Sequence, residues 1–283
     1  MAQLIQMRQR IAAIKAIKKI THAMRLISMS THSRLKGKEA PLSSYISHIK
    51  NLFYSIKAQT PTWQNNLVYP TEPLSKNPLI IIIGSQKGLC GNFNSALFKL
   101  FELRSKQQNF PEVSYIVVGK KAVDYLNQRK PKKLVAAYPT FSSATLSAIS
   151  SAITDEIMSK DRGYTNVIFF SNKLKTFFVQ KPKTFQLIPF ADSLKESGQE
   201  QSQEFDWELE PSIVLDALAH QYAQSMIQEI LFQSLLAEQA ARFLSMDSST
   251  RNATDLLDAT QLQYNKLRQA KITKELTELT GSF

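Results

Sequence analysis

The chain has 283 residues, of which 43% are hydrophobic and 20% charged, and its net charge at pH 7 is +12. This length allows one or two domains with a sizeable core. One cysteine, Cys90, excludes an internal disulfide, and the longest aliphatic run, Leu79 to Ile83, is far short of the roughly 20 residues of a membrane-spanning helix.

The first predicted element is a helix with a coiled-coil seam. Its first apolar residues follow alternating steps of three and four: Leu4, Met7, Ile11 and Ile14. The pattern then resumes after a shift of three residues, which would overwind a supercoil locally: Ile17, Ile20, Met24 and Ile27. Pro41 is expected to kink or end this helix, and residues 45–57 are expected to continue it.

The positive charge is concentrated in this first segment. Residues 1–57 carry eleven Lys or Arg and one Glu, a net charge of +10. The ordinary interpretation is a solvated basic helix face. The functional interpretation is an acidic partner, which could be nucleic acid, anionic lipid or a ring of protein carboxylates. Composition does not choose among these partners.

The middle of the chain is predicted to alternate strands and helices. All eleven prolines lie between Pro41 and Pro211. The predicted strands are 79–83, 113–118, 133–137, 166–170 and an edge strand at 184–189, and the predicted helices are 93–103, 121–128 and 145–159. Such alternation implies right-handed crossovers and a mainly parallel sheet. The polar residues 192–206 are predicted to form a loop.

The last element is predicted to be one uninterrupted helix. Residues 212–280 contain no glycine and no proline, the two residues that cost most inside a helix. At this length the helix would span roughly 100 Å, against a radius of gyration of roughly 19 Å for a compact chain of this size. We therefore expect it to project from the globule and to need a partner along its length. Its second half, 247–278, is the more polar half and leaves surface for that partner.

The loop after the first strand raises the question of nucleotide binding. Gly84 to Asn92 lie between a strand and a helix, where doubly wound sheets bind phosphates. The glycine spacing matches neither GxGxxG nor GxxxxGK[ST], so a structural turn is favoured. Cys90 is interpreted as a buried turn residue rather than a nucleophile, because no histidine nearby stands out as its base.

Other residues with chemical potential have ordinary structural interpretations. The four histidines have no zinc-ligand spacing with cysteines, so no metal site is predicted. Glu275 and Glu278 are interpreted as surface ion-pair groups rather than an acid–base pair. Four aromatic residues are expected in the sheet core or at its edge rather than stacked on bases: Phe169, Phe170, Phe177 and Phe178.

Several motifs together resemble one known family, the gamma subunits of F-type ATP synthases. The C-terminal motif is the most specific and comprises Ala237–Arg242, Met246, Ser249–Thr250, Asn252–Ala253, Tyr264–Lys266, Arg268–Ala270, Ile272–Thr273 and Glu275–Leu279. The matching motifs elsewhere are Arg10–Ile11, Lys19–Thr21, Ala23–Met24, Gly88–Gly91, Asn94, Ser171–Lys173 and Leu187–Pro189. The turn departs from the family pattern at Gln86, Lys87 and Asn92.

The resemblance implies an α/β fold in which the terminal helices form a long antiparallel coiled coil beside a central Rossmann-like, mainly parallel domain. The expected bounds are 1–58 for the N-terminal coiled-coil helix, 76–192 for the α/β domain and 209–283 for the C-terminal coiled-coil helix. It also implies a non-catalytic rotor subunit, the central stalk, which couples transmembrane ion flow to ATP synthesis or hydrolysis.

The partners implied by the resemblance are three pairs of alpha and beta subunits around one copy, with the epsilon subunit, the c-ring and, indirectly, delta. No cofactor, metal or nucleic acid is expected. The first ten residues lack the apolar stretch of a secretory signal. We therefore expect a soluble, cytosol-facing protein without direct membrane insertion, peripheral at the cytoplasmic face of a bacterial plasma membrane.

The resemblance also carries site residues over. The expected contacts with the alpha–beta ring are Arg8, Arg10, Lys18, Lys19, Met24, Arg25, Arg268, Gln269, Thr273 and Glu275, and the expected structural turn comprises Gly88, Cys90 and Gly91. Three alternatives stay open: a diverged paralogue in a variant rotary ATPase, a nucleotide-binding enzyme that uses the middle domain, and a basic coiled-coil protein that binds nucleic acid.

Overall fold

Six helices and five strands are formed by the residues that the computed structural model describes, which are 2–60, 63–65, 77–107, 112–159, 163–189 and 210–280. The helices are α1 (Ala2–Lys36), α2 (Glu39–Gln59), α3 (Phe93–Gln107), α4 (Lys120–Gln128), α5 (Leu146–Met158) and α6 (Pro211–Thr280). The strands are β1 (Pro78–Ile83), β2 (Ser114–Val118), β3 (Leu134–Tyr138), β4 (Asn166–Thr176) and β5 (Val179–Ile188).

The strands form one sheet in the order β3-β2-β1-β4-β5. Only the β4–β5 pairing is antiparallel among the described strands. Ile81 on β1 lies opposite Ile116 on β2 and Phe169 on β4, and all six residues of β1 are buried. A wholly aliphatic strand forms here because both of its faces are covered. The predicted mainly parallel sheet is confirmed.

The sheet has a hydrophobic core on each face. On one face, Ile81 and Phe169 belong to a cluster with Ile153 of α5 and Leu231 of α6. On the other face, residues of β1, β2 and β4 pack with α3 and α4 through a second cluster. Helices on both faces of a mostly parallel sheet are the arrangement expected from strand–helix alternation.

Two predicted details need correction. The helix that begins the chain ends at Lys36, before Pro41, and Pro41 lies in the first turn of α2, where its missing N–H breaks no helical hydrogen bond. The edge strand predicted at 184–189 belongs to a longer antiparallel hairpin made of β4 and β5. The predicted loop at 192–206 lies outside the described residues.

Contacts divide the chain into two compact units. The first unit comprises Met1–Thr31 and Arg242–Phe283, and the second comprises His32–Ala241. We predicted three consecutive segments, 1–58, 76–192 and 209–283. These bounds stay a prediction. The predicted uninterrupted C-terminal helix is confirmed as the 70-residue α6. Within the described part of the chain, no helix is long and apolar enough to cross a membrane.

Candidate functional site: the paired terminal helices

The first unit is built from two antiparallel helix segments. Arg8 Nε of α1 donates a hydrogen bond of 2.7 Å to the hydroxyl of Tyr264 on α6. Farther along α1, Arg25 forms an ion pair of 2.7 Å with Asp247. Residue numbers therefore fall on α6 as they rise on α1, which confirms the predicted antiparallel pairing of the terminal helices.

The seam between these helices mixes apolar and polar side chains, and Ile14, Ala253 and Leu257 form a hydrophobic cluster within it. On α1 its buried residues include Ile14, Thr21 and Ser28. On α6 the buried residues alternate steps of four and three: Met246, Thr250, Ala253, Leu257 and Thr260. This is one continuous coiled-coil pattern.

The predicted shift of the α1 seam is wrong. Ile17, Ile20 and Ile27, which the prediction places in the seam, are 53%, 60% and 64% exposed, whereas Met24 is half-buried. In this part of α1 the buried positions are occupied by the polar residues Thr21 and Ser28, so the spacing of the apolar residues does not mark the seam.

The buried hydroxyls in the seam are satisfied by hydrogen bonds. Thr250 Oγ1 lies 2.9 Å from Thr21 Oγ1 and 2.7 Å from the carbonyl oxygen of Met246. Thr21 Oγ1 also lies 3.1 Å from the carbonyl oxygen of Lys18 and donates to it. Because Thr21 gives its proton to the Lys18 carbonyl, its oxygen accepts the single Thr250 proton, which Thr250 shares between Thr21 and the Met246 carbonyl. The pair thus fixes the register of the two helices.

An ion cluster lies at the edge of the seam. Asp247 accepts hydrogen bonds from Arg25 and from Arg251 on its own helix. The hydrogen bond from Arg25 is the largest cause that lowers the pKa of Asp247 below its ordinary 3.8, partial desolvation opposes it, and Arg251 adds to the lowering. Asp247 is therefore charged at neutral pH and adds a second register contact.

The helical pair exposes many large hydrophobic side chains. Exposed large hydrophobic side chains of the first unit are Ile5, Ile17, Ile20, Leu26, Ile27, Met29, Leu256, Leu262, Ile272, Leu276 and Leu279. We call these residues the outer apolar set. In a coiled coil that is surrounded by water, large hydrophobic side chains lie mostly in the seam. So many of them exposed on two paired helices are typical of helices that bind a partner.

The predicted contact residues of α1 lie around this surface. Arg8, Arg10 and Lys19 are exposed, and Lys18, Met24 and Arg25 are half-buried. Two of them also hold the pair together, since the Arg8 guanidinium lies 5.6 Å from the ring centre of Tyr264 and Arg25 binds Asp247.

The predicted contact residues of α6 lie near its C-terminal end. Arg268, Gln269, Thr273 and Glu275 are all exposed. Glu275 pairs with Lys271 at 3.3 Å and Glu278 with Lys274 at 3.7 Å, which confirms their interpretation as surface ion-pair groups. Since Arg8 lies opposite Tyr264, Ala2 falls opposite about residue 270. The last turns of α6 thus extend past the beginning of α1.

Comparison with known proteins decides what kind of chain this is. The ATP synthase family model matches residues 3–283. The chain belongs to the ATP synthase family. The ATP synthase gamma chain of Acinetobacter baumannii is 30% identical over 288 residues, which cover 99% of this chain and 98% of the relative. The ATP synthase gamma chain of Chlorobaculum parvum is 30% identical over 294 residues, with 99% and 98% covered.

Solved structures share the fold of this ATP synthase family member. A chain of the Euglena gracilis mitochondrial ATP synthase (OSCP, F1 and c-ring, rotational state 3) has a TM-score of 0.67 at 16% identity, with 99% of this chain and 93% of that chain covered. A chain of the Tetrahymena thermophila mitochondrial ATP synthase central stalk and c-ring has a TM-score of 0.58 at 20% identity, with 81% and 98% covered.

The glycine-bearing turn of this family member is filled by its own side chains. Asn94 Oδ1 accepts a hydrogen bond of 3.0 Å from the backbone N–H of Ser85, and Asn94 Nδ2 donates to Ser85 Oγ at 2.8 Å. Cys90 is buried, with its sulfur 3.3 Å from Asn94 Nδ2. Gly91 has a φ of +58°, a conformation that glycine adopts without strain. Gly88 lies in the same turn.

Sequence reasoning did not identify three residues that organise the helical pair. Tyr264, Thr250 and Asp247 each bond across the seam. A signal was present in the sequence: Thr250, Leu257 and Tyr264 repeat at intervals of seven residues. A heptad search that admitted threonine at seam positions would have found Thr250 and Tyr264, but not Asp247.

Proposed function

We propose that this chain is the central-stalk rotor subunit of an F-type ATP synthase, a non-catalytic component that couples transmembrane ion flow to ATP synthesis or hydrolysis. One observation carries the proposal. The terminal helices pair through a seam that buries hydroxyl groups beside apolar side chains, and they leave the outer apolar set exposed, as suits an axle enclosed by protein rather than by water.

The size of the outer apolar set fits the energy that a rotor must deliver. Burying one large aliphatic side chain is worth about 1.5–3 kcal/mol. Switching a two-state site from 1:99 to 99:1 needs about 5.5 kcal/mol of differential binding. Because these side chains are already about half buried in the chain itself, about four to seven of them, buried by one catalytic subunit and not by the next, would supply that difference. A single asymmetric pair of helices cannot contact three equivalent subunits equally, so rotation would change which subunit receives these contacts.

The proposed partners follow from the charge and position of the same surface. Three alpha–beta pairs would surround one copy of the pair, with the basic residues of α1 facing acidic groups of the ring. The proposed contact residues are Arg8, Arg10, Lys18, Lys19, Met24, Arg25, Arg268, Gln269, Thr273 and Glu275. The epsilon subunit and the c-ring would bind the second unit, and delta would be linked indirectly.

We place the complex at the cytoplasmic face of a bacterial plasma membrane, with this chain peripheral to the bilayer. The bacterial relatives at 30% identity support this location. The turn residues Gly88, Cys90 and Gly91 are proposed to be structural rather than ligand-binding, and the internal hydrogen bonds of Ser85 and Asn94 support that role.

The test targets the outer apolar set directly. In the double variant I20D/I27D both substitutions lie on exposed positions, so the free energy of unfolding of the isolated chain should change by less than about 1 kcal/mol. We expect assembly with the ring, or gradient-driven ATP synthesis in membrane vesicles, to fall at least tenfold. Leu103→Asp on α3 is the matched control, since Leu103 is 53% exposed in the second unit. This variant should keep both assembly with the ring and ATP synthesis. Unchanged assembly and synthesis in I20D/I27D would refute the proposal.

A further inference from the structure

A buried histidine lies near the C-terminal end of α1, in the second unit. His32 is 7% exposed, and its ring meets the ring of Phe177 edge to face, with centroids 4.9 Å apart and an angle of 87° between the planes. Phe177 belongs to the tight turn that joins β4 to β5. The histidine therefore forms a contact between α1 and the tip of the β4–β5 hairpin.

One ring nitrogen of His32, Nε2, is buried without a hydrogen-bond partner among the described residues. The carboxylate whose charge acts on His32, Glu39 on α2, already binds Lys36 through one oxygen and accepts a hydrogen bond of 2.9 Å from Gln233 of α6 through the other. A protonated ring would thus bury a positive charge without a partner, which is costly.

The charged groups around the His32 ring have opposite effects on its protonation. On α1, Lys36 disfavours protonation, and on α2, Glu39 favours it. Farther out, Glu229 on α6 faces Glu39 and Lys173 of β4, and burial raises its pKa. Burial is the largest cause that lowers the pKa of His32 below its ordinary 6.5, Lys36 adds to the lowering and Glu39 opposes it.

The hairpin tip carries two neighbouring aromatic rings, of which one contacts α1 and the other is exposed. Phe178, next to Phe177, is 72% exposed and contacts the Phe177 ring. Leu174, lower on the hairpin, packs against the cluster of Cys90 and Phe93. A change at His32 would therefore act on the tip while the base of the hairpin stays in the sheet.

We propose that His32 is a proton-sensitive latch, which holds the tip of the β4–β5 hairpin on α1 while its ring is neutral and releases the tip when the ring is protonated. The latch does not rest on the proposed rotor function. Its direction follows from linkage: the latched state binds fewer protons than the released state, so the stability of the contact is complete above about pH 6.5 and is lost as the pH falls below that value.

The first experiment needs no substitution. An NMR titration of the full chain from about pH 8 to about pH 5 follows all four histidine rings, of which His22 and His48 are exposed and His220 is half-buried. We expect the pKa of His32 to lie below its ordinary 6.5. A His32 midpoint at or above 6.5 would overturn the proposal.

The second experiment follows the hairpin itself by hydrogen exchange, with protection factors corrected for the intrinsic effect of pH. We expect the opening constant of the tip to rise by up to about tenfold per pH unit below 6.5. His32→Leu cannot titrate and should remove this dependence, whereas the matched control His48→Gln on α2 should keep it. Protection of the tip that stays constant on acidification would overturn the latch. Protection that rises, because the Phe177 ring binds the imidazolium, would overturn it too. So would a His32→Leu chain whose tip protection depends on pH as in the wild type.

Discussion

The buried hydrogen bond between Thr21 and Thr250 offers a quantitative test of the helical pair. Replacing Thr250 by valine keeps the shape of the side chain and removes the hydroxyl that lies 2.9 Å from Thr21 Oγ1. A hydrogen bond of this kind contributes about 1 kcal/mol net to stability. We therefore expect Thr250→Val to lower the free energy of unfolding by about 1 kcal/mol, which is roughly a fivefold change in the unfolding equilibrium.

A matched control and a double variant separate this contact from effects within one helix. Thr250 also bonds to the carbonyl of Met246 in its own helix. Thr277, which is exposed, makes the same kind of bond to the carbonyl of Thr273, so Thr277→Val measures the cost of losing that bond alone. The double variant T21V/T250V places two apolar side chains in the seam, and its cost should be less than the sum of the two single costs by about 1 kcal/mol.

Urea unfolding of the full chain, followed by helical circular dichroism, measures all four variants. The reasoning predicts that Thr250→Val is more destabilising than Thr277→Val and that the coupling energy is clearly above zero. Equal costs for these two variants, or single costs for Thr21→Val and Thr250→Val that simply add, would refute a register contact at this position.

Three further predictions concern charge and backbone geometry. Asp247→Asn should destabilise the chain at neutral pH, and because the pKa of Asp247 lies below 3.8, the difference should shrink as the pH falls below that value, measured by unfolding at several pH values. Gly119→Ala should lower the free energy of unfolding by more than about 1 kcal/mol, since Gly119 has a φ of +88° and an added Cβ would lie 2.2 Å from a backbone oxygen. Gly88→Ala should lower it less, because the added Cβ would meet only a lysine side chain at 3.8 Å. Equal melting temperatures for the two variants would contradict this. Charge reversal of Lys18 and Lys19 should reduce gradient-driven ATP synthesis, and an unchanged rate would remove the electrostatic part of the proposed ring contact.

Much of the fold could be predicted from the sequence because its signals depend on the chain alone. The absence of glycine and proline predicts α6, and the helix runs from Pro211 to Thr280. The aliphatic run Leu79–Ile83 predicts a strand covered on both faces, and β1 is buried throughout. The resemblance to gamma subunits supplied the family, since no single motif in the chain carries a catalytic or ligand-binding pattern.

Hydrophobic spacing predicted the first half of the α1 seam, where Ile11 and Ile14 pack against Ala253 and Leu257. It could not predict the second half, and the reason is physical. Hydrophobic pattern reading assumes that apolar residues face the chain's own core. In the first unit Ile20 and Ile27 are exposed while Thr21 and Ser28 are buried, so the spacing of isoleucines reports an outside surface. A sequence carries this second pattern whenever a partner, rather than the chain itself, covers the apolar face.

The hairpin was missed for a different reason. Its outer part, residues 171–183, has exposed lysines and a proline instead of apolar alternation, and Lys173 lies directly opposite Lys181. Like charges opposite each other disfavour pairing, so side-chain patterns argue against a strand there. The outer part of the hairpin is held by backbone hydrogen bonds that continue from the buried part of β4. Backbone hydrogen bonds cannot be predicted from the local composition.

The central claim is that one copy of this helical pair occupies the axis of a ring of alpha and beta subunits. The most direct measurement is purification of the tagged chain from membranes of its source cell, followed by native mass spectrometry of the intact complex. The account predicts a single copy of the chain with three alpha and three beta subunits. Recovery of the chain without alpha and beta subunits, or with more than one copy for each set of three pairs, would contradict it.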